Sequence, residues 1–430
     1  MAIRKREIDP RWEWTEPGVW TERMLTALEK GVQGGKWYSL IDKVKKPRNL
    51  RAAYGRVRKN GGSAGVDHVT VEMFGQDLEE RLERLSEQLD EGRYRPQAIR
   101  RVHIPKPGSK KTRPLGIPTV RDRVVQTALK QVIEPIFEKE FAEHSYGFRP
   151  NRGCKDALRQ VSQKLSEGYI HVMDADLQSY FDTIPKDRLM RLVEEKISDG
   201  KVLELIQEFL NQGVLEDGKH WTPEAGTPQG AVISPLLANL YLNPLDHRMA
   251  EAGYEMIRYA DDFVILCRTR EAAEEAQRIV EEWTREAGLT LHPEKTHVAN
   301  AVTEGFEFLG YHFHNEERWP KDKSLKKLKD TIRRKTRRRT SGYSMERIIT
   351  SLNPTLRGWF EYFKHAKWYI FERLDRWIRQ RLRSILRNRQ NKTGRARGTD
   401  NQRWPNAYFA QMGLFSLLEA YQRERQSVRR

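Results

Sequence analysis

At 430 residues, 38% apolar and 10% aromatic, the chain is long enough for two or three domains with their own cores and too apolar to be disordered. Cys154 and Cys267 stand far apart, which excludes a disulfide framework and a zinc-ligand pattern; no apolar run reaches the roughly 18 residues of a spanning helix, so no membrane partner and a cytoplasmic location are expected. The net charge of +18 is uneven: residues 318–430 carry 31 Lys and Arg against 9 Asp and Glu, leaving about −4 for residues 1–317, so a polyanion, nucleic acid, is the expected partner of the C-terminal part.

Residues 1–48, with Trp12, Trp14, Trp20 and Trp37 around a helix near Thr21–Lys30, read as an N-terminal extension. A basic helix over Asn49–Lys59 leads into the glycine-rich loop 60–68, "NGGSAGVDH". Its Gly61–Gly65 has the spacing of a hydrolase nucleophile elbow, but that elbow needs a strand before it and a helix after, and the order here is reversed. An amphipathic helix is predicted over 72–91, then two strands in "AIRRVHIPKPGSKKTRPLGIP" around the basic turn Pro107–Lys111. Helices follow over Val120–Ala142 and Cys154–Glu167, a buried strand in "YIHVMDADLQSYFDTI", a helical stretch over Lys186–Gln212 and a short hairpin over Val214–Thr222. "IRYADDFVILC" predicts a second hairpin, with strands Ile257–Ala260 and Phe263–Cys267 and the turn at Asp261 and Asp262. Beyond Trp319 the pattern is helical, over Lys323–Arg339, Ser344–Lys364 and Ile370–Arg389, before a polar linker, Gln390–Arg403, and a short tail.

Adjacent aspartates in an apolar hairpin repel, and partial burial raises the pKa of at least one unless a cation compensates. Strand alternation puts Asp174 and Asp176 on one side, with Asp176 at the strand's end where an ion can enter. If that strand lies beside the hairpin, Asp176, Asp261 and Asp262 converge as hard oxygen ligands suited to Mg²⁺. Two such ions, about 4 Å apart, would activate a 3′-hydroxyl and stabilise a pyrophosphate leaving group. Solvated acidic turns are the plain alternative at this point. In the basic region, ten of the seventeen residues Lys323–Arg339 are cationic. Helical spacing turns Trp359, Tyr362 and Phe363 inward and Arg357, Lys364 and Lys367 toward solvent.

The blocks "IPKPGSKKTRPLGIP", "HSYGFRPNRG", "DLQSYFD", "GTPQGAVISPLLANLYLN", "YADD" and "FEFLGYHF" occur in the order seen in group II intron-encoded reverse transcriptases, and the chain resembles that family from about Asn49 onward. The resemblance implies an α+β right-hand polymerase: fingers and palm over 49–315 with an N-terminal lid loop at 60–68, a three-helix thumb or maturase domain over 316–389, and a short basic DNA-binding tail over 390–430. It implies that Asp176, Asp261 and Asp262 hold two Mg²⁺ ions, with the Leu177 carbonyl as a further ligand. Lys106 and Arg113, the Ser179 and Tyr180 amides, Gln229, Gly230 and Lys295 would meet the incoming nucleotide, and Phe181 would act as the steric gate against a ribose hydroxyl. Asp174 and Asp182 do not align with the metal triad, and His68 stands where relatives usually have Gly. "FEFLGYHF" resembles the primer grip. Arg333, Arg334, Arg337, Arg338, Arg357, Lys364 and Lys367 would meet nucleic acid. The implied activity is RNA-directed DNA synthesis from dNTPs on a primed RNA template, with binding of the parent intron RNA for splicing and of target DNA for mobility. A splicing cofactor with a vestigial polymerase site, or a polymerase adopted for defence or repair, are the alternatives. No Cys cluster follows the tail, so the zinc-containing nuclease of some relatives is not expected.

Overall fold

Runs of β-branched and aromatic residues bounded by turn formers become strands here. In the computed structural model, which describes residues 9–105, 112–315, 317–337, 342–392, 394, 396 and 398–428, eleven strands are assigned. These are β1 (Ile99–Pro105), β2 (Thr112–Ile117), β3 (His171–Asp176), β4 (Val214–Glu216), β5 (Lys219–Trp221), β6 (Met256–Tyr259), β7 (Asp262–Cys267), β8 (His297–Asn300), β9 (Phe306–Phe308), β10 (Tyr311–His314) and β11 (Glu317–Pro320). The chain divides into two compact units, the first ending at Val298 and the second beginning at Ala299, earlier than the residue 315 at which the sequence suggests the palm closes. Helices and mixed sheets make the fold class α+β, as expected.

The first unit holds a sheet ordered β2-β1-β4-β5 and carries β6, β7 and β3 side by side, with β8 beyond β3. β3 and β6 both run antiparallel to β7, and β7 is buried from Phe263 to Cys267. That apolar strand needs cover on both faces, and helices Val120–Glu138, Ser234–Glu251 and Arg270–Glu286 contribute buried residues to the same core. Two predicted helices are broken. The 72–91 stretch becomes Val71–Phe74 and Leu78–Asp90, separated at Gly75, where any Cβ would stand 2.1 Å from the Tyr54 hydroxyl. The 186–212 stretch becomes Lys186–Glu194 and Gly200–Leu210. Asp199 restarts the second helix by accepting from Val202 N, and its other oxygen accepts from the Leu40 and Ile41 amides.

The described N-terminal residues pack into this unit. Trp20 is fully buried and donates its indole N–H to the Gln131 carbonyl at 3.0 Å. Trp37 exchanges backbone hydrogen bonds with Lys196 and Ser198. Among the described residues no helix is long and apolar enough to cross a membrane.

The second unit holds the sheet β11-β10-β9 and the three helices anticipated for a thumb, at Asp322–Lys335, Met345–Phe363 and Trp368–Asn388. Where a linker and tail were expected over 390–430, the described residues 398–428 form packed helices. Helices Gly398–Arg403, Asn406–Gln411 and Leu417–Val428 follow one another, and Phe409 and Leu417 are fully buried. Polar anchors fix them: Arg387 pairs with Asp400 at 2.9 Å, and Arg383 donates to the Trp404 carbonyl. Asp375 accepts from the Ser416 hydroxyl at 2.7 Å and from the Leu417 and Leu418 amides, capping the last helix from outside. Glycine and arginine content suggested a linker because it conceals these partners. Replacing Asp375 with Ala orphans those three donors and is expected to lower stability by about 2 kcal/mol in denaturant titrations, with earlier proteolysis near residue 416.

Candidate active site

The register of two strand pairs assembles the site. Asp176 ends β3 and pairs with Asp262, which opens β7, while Tyr259 pairs with Asp262 from β6. Residues directly opposite in antiparallel strands project to the same side, so the Asp176 and Asp262 side chains leave one face of the sheet together. The hairpin loop is Ala260–Asp261, one residue earlier than the predicted Asp261–Asp262, because Asp262 is already strand. Asp261 therefore stands at the tip beside the other two carboxylates. Burial above all, with the Asp176 charge adding to it, raises the Asp261 carboxyl above the usual carboxylate range, while Lys295 and Arg258 oppose the shift.

Ala260 takes the left-handed conformation, φ +60°, without being glycine. A buried polar clamp holds it there. Arg258 is fully buried; its Nη1 donates to the Ala260 carbonyl at 2.9 Å and to Asn239 Oδ1 at 3.0 Å. Its Nε donates to Asp246 Oδ1 at 2.8 Å, and Nη2 also pairs with Asp246. Asn239 and Asp246 lie seven residues apart on one helix, two turns along one face. Asn239 in turn donates to the Gly147 carbonyl at 2.7 Å, and a Cβ at Gly147 would lie 2.3 Å from the Ala260 nitrogen. None of these four residues was singled out from the sequence. The signal was an arginine inside an apolar strand, "MIRY", which has to find a buried carboxylate.

Lys295 lies at the other side of Asp176, its Nζ 2.6 Å from Oδ2. The chain crossing there is tied by His292 N to the Asp176 carbonyl and Gln178 N to the Thr290 carbonyl; neither bond uses the Leu177 carbonyl. Among the described residues no three acidic, imidazole or thiol side chains are grouped as a ready-made ion cage. The donors are nonetheless of the kind a hard divalent cation takes: Asp176 and Asp262 face each other in register, Asp261 on the adjoining turn is partly desolvated, and Asp176 is paired with the exposed Lys295 ammonium.

Ser179, φ +50°, caps the short helix Tyr180–Thr183, so the Ser179 and Tyr180 amides lie at its first turn, where no intrahelical acceptor exists. Tyr180 is buried and its hydroxyl donates to the Ala238 carbonyl at 2.6 Å. The Phe181 carbonyl accepts from Thr227 N at 2.7 Å, which ties its backbone to the loop carrying Gln229. A cavity of about 210 Å³ opens beside them, lined by Phe181, Asp182, Gln229, Pro114 and Gly116. The Gln229 carbonyl accepts from Gly116 N at 2.7 Å, and Gly230, φ +111°, lets the loop close on β2, since a Cβ there would lie 2.2 Å from the Gly116 carbonyl. Gly230 thus serves backbone approach. Arg113 is exposed on β2, opposite Ile104. Lys106 lies outside the described residues.

Loop 60–68 is held by Arg123, which donates to the Gly61 and Ser63 carbonyls, and by Arg100, which donates to the Ala64 carbonyl. His68 adopts φ +58°, so the glycine-like turn is kept.

In the second unit, Arg333, Arg334 and Arg337 are exposed on or just after the helix Asp322–Lys335, and Arg338 lies outside the described residues. Two of the cations predicted to face solvent are instead engaged in ion pairs and half-buried. Lys364 is ion-paired with Glu361 and Glu424, and Lys367 with Glu317 at 2.7 Å. Arg357 is exposed and stacks over Phe415, 4.7 Å from the ring centre. The C-terminal helix Leu417–Val428 and the turn before it supply Glu424 and Phe415, partners that helical spacing alone does not reveal.

Replacing Arg258 with Met leaves Asp246 buried without its partner and is expected to cost about 3–5 kcal/mol in denaturant titrations, whereas pairing that change with Asp246→Leu recovers most of the loss.

Residues 104–313 match the reverse transcriptase (RNA-dependent DNA polymerase) family, and residues 325–404 match the group II intron maturase-specific domain. The chain is 35% identical to Protein YkfC of Escherichia coli over 292 residues, covering 59% of this chain and 76% of that protein. It is 38% identical over 203 residues to the group II intron-encoded protein LtrA of Lactococcus lactis, covering 47% of this chain and 33% of LtrA. Over 407 residues it is 25% identical to a putative COX1/OXI3 intron 1 protein of Saccharomyces cerevisiae, covering 81% of this chain and 48% of that protein. The chain thus spans three quarters of the first relative and half or less of the other two. The fold is that of a right-hand polymerase, and the family's chemistry is metal-dependent nucleotidyl transfer with binding of intron RNA and RNA templates. With both domains in order along one chain, this protein belongs to the group II intron-encoded reverse transcriptases and maturases.

Proposed function

We propose that this chain copies RNA into DNA from dNTPs on a primed template, using two Mg²⁺ ions, and that it binds its parent intron RNA to assist splicing and target DNA to support mobility, acting in the cytoplasm. The observation that carries the reading is the in-register pair Asp176 and Asp262 with Asp261 on the adjoining turn, held by a buried clamp. A protein that only clamps RNA has no use for two carboxylates in register at a strand end with a third, partly buried, on the next turn.

Asp176, Asp261 and Asp262 would hold the ions, with Leu177 lending its carbonyl. When bound, they supply charge that lowers the pKa of the primer 3′-hydroxyl and stabilises the leaving pyrophosphate. Mg²⁺ takes one or two carboxylates and completes its shell from water and phosphate oxygens, so an open arrangement suits it. The protein's own groups do the rest. Lys295, whose ammonium pairs with Asp176, would be placed to meet the leaving phosphates once that carboxylate serves as an ion ligand. Arg113 and Lys106 grip the triphosphate, a planar fork and a point charge on the same oxygens, and the Ser179 and Tyr180 amides add donors. Phe181, its backbone fixed to Thr227, sets its ring against C2′ of the incoming sugar, and Gln229 lies across the same cavity.

Two outcomes test this. Asp261→Asn is expected to reduce primer extension to background while leaving intron RNA affinity unchanged; extension that persists contradicts the ion site. Phe181→Ala, measured by single-nucleotide incorporation of dNTP against rNTP, is expected to erode sugar discrimination by about tenfold to a hundredfold.

A further inference from the structure

The second unit contains a cavity of about 720 Å³ between the helices Asp322–Lys335 and Trp368–Asn388 and the segment after them. Its chemistry differs from that of an ordinary basic face. Every charged residue lining it, among the described residues, is an arginine: Arg333, Arg337 and Arg381. Arg333 and Arg381 both stack on one indole, with their guanidinium carbons 5.7 Å and 5.4 Å from the Trp377 ring centre. Arg381 is also anchored, donating to Thr336 Oγ1 at 2.8 Å and to the Thr336 carbonyl, so its remaining surface is preset. Arg333 pairs with Asp330 at 2.6 Å on the exposed side. Burial first, and then the charge of Arg333, lowers the proton affinity of Arg381, so the pair gains from an anion arriving between them.

Beside the arginines lie two amide side chains, Gln380 and Asn388. The Gln380 Oε1 is buried and accepts no hydrogen bond from any described residue. An orphaned buried acceptor is costly and points to a donor supplied from elsewhere. Phosphate-binding guanidiniums, planar groups for stacking and amides that pair with base edges are the combination by which proteins hold an unstacked nucleotide. All these residues fall within the 325–404 stretch that matches the maturase domain, which selects RNA as the occupant.

We propose that this cavity captures a single unpaired nucleotide extruded from bound RNA, its phosphate on Arg333, Arg337 and Arg381 and its base edge on Gln380 and Asn388. The inference rests on the intron-binding reading above but concerns a site of its own, one that recognises a bulge or loop rather than a duplex.

The test uses the full chain and RNA hairpins that are either fully paired or carry one bulged nucleotide, with each of the four bases in turn. The chain is expected to bind at least one bulged hairpin more tightly than the paired one by about five- to twentyfold. Gln380→Ala with Asn388→Ala should remove that preference while keeping affinity for the paired hairpin. A 4-thiouridine at the bulge should cross-link the unmutated chain within Trp377–Asn388, a readout independent of whether the variant folds. Equal binding of paired and bulged hairpins, equal loss for both in the variant, or cross-links confined to other segments would each overturn the proposal. Primer extension by the unmutated chain, run in parallel, tests the polymerase reading by itself.

Discussion

The site depends on one buried guanidinium. Arg258 holds the Ala260 carbonyl, and through it a left-handed turn at a residue that has a Cβ, so that Asp261 is presented beside the in-register pair of Asp176 and Asp262. Such a turn is strained by about 1–3 kcal/mol and persists because its surroundings over-determine it. Here the surroundings are the bidentate contact to Asp246, the bond to Asn239 and the close approach of Gly147. The contribution of this clamp is geometric more than energetic. Replacing a buried ion pair with apolar residues is often neutral for stability, but no apolar side chain can donate to the Ala260 carbonyl.

Charge is managed differently in the two units. In the first, Asp176 stands in register with Asp262 and is neutralised by Lys295, an exposed ammonium on a flexible stem. In the second, the surplus of arginine and lysine is thinned by internal pairing. Glu424, Glu317 and Asp400 neutralise Lys364, Lys367 and Arg387, and Arg383 is spent on holding Trp404. The basic surface that remains exposed among the described residues is therefore narrower than the composition implies, and it includes Arg333, Arg334 and Arg337.

Much of this was legible in the sequence, for identifiable reasons. Strand β3, the 256–267 hairpin and the three long helices of the second unit carry strong periodicity, and periodicity reports local structure well. Asp176, Asp261 and Asp262 were singled out because charges inside apolar strands violate local preference. What stayed hidden was tertiary. Asn239 and Asp246 read as ordinary helix residues until Arg258 is seen facing them. The breaks at Gly75 and Asp199 depend on Tyr54 and on the Leu40 and Ile41 amides, distant in the chain. The segment after Gln390 looked like a linker because nothing local announces that Asp375 and Arg383 will bind it. The hairpin turn was placed one residue late because two aspartates are better turn formers than Ala-Asp, a preference that the clamp overrides.

The central claim is that side chains from two separate strands form one ion site. Titrating the full chain with Mn²⁺, as a spectroscopic substitute for Mg²⁺, and counting bound ions by electron paramagnetic resonance in the presence of primed RNA and a non-hydrolysable dNTP, tests it most directly. The account predicts that Asp176→Asn and Asp262→Asn each abolish the same tight binding seen in the unmutated chain. Undiminished Mn²⁺ binding in the Asp176→Asn protein would contradict it.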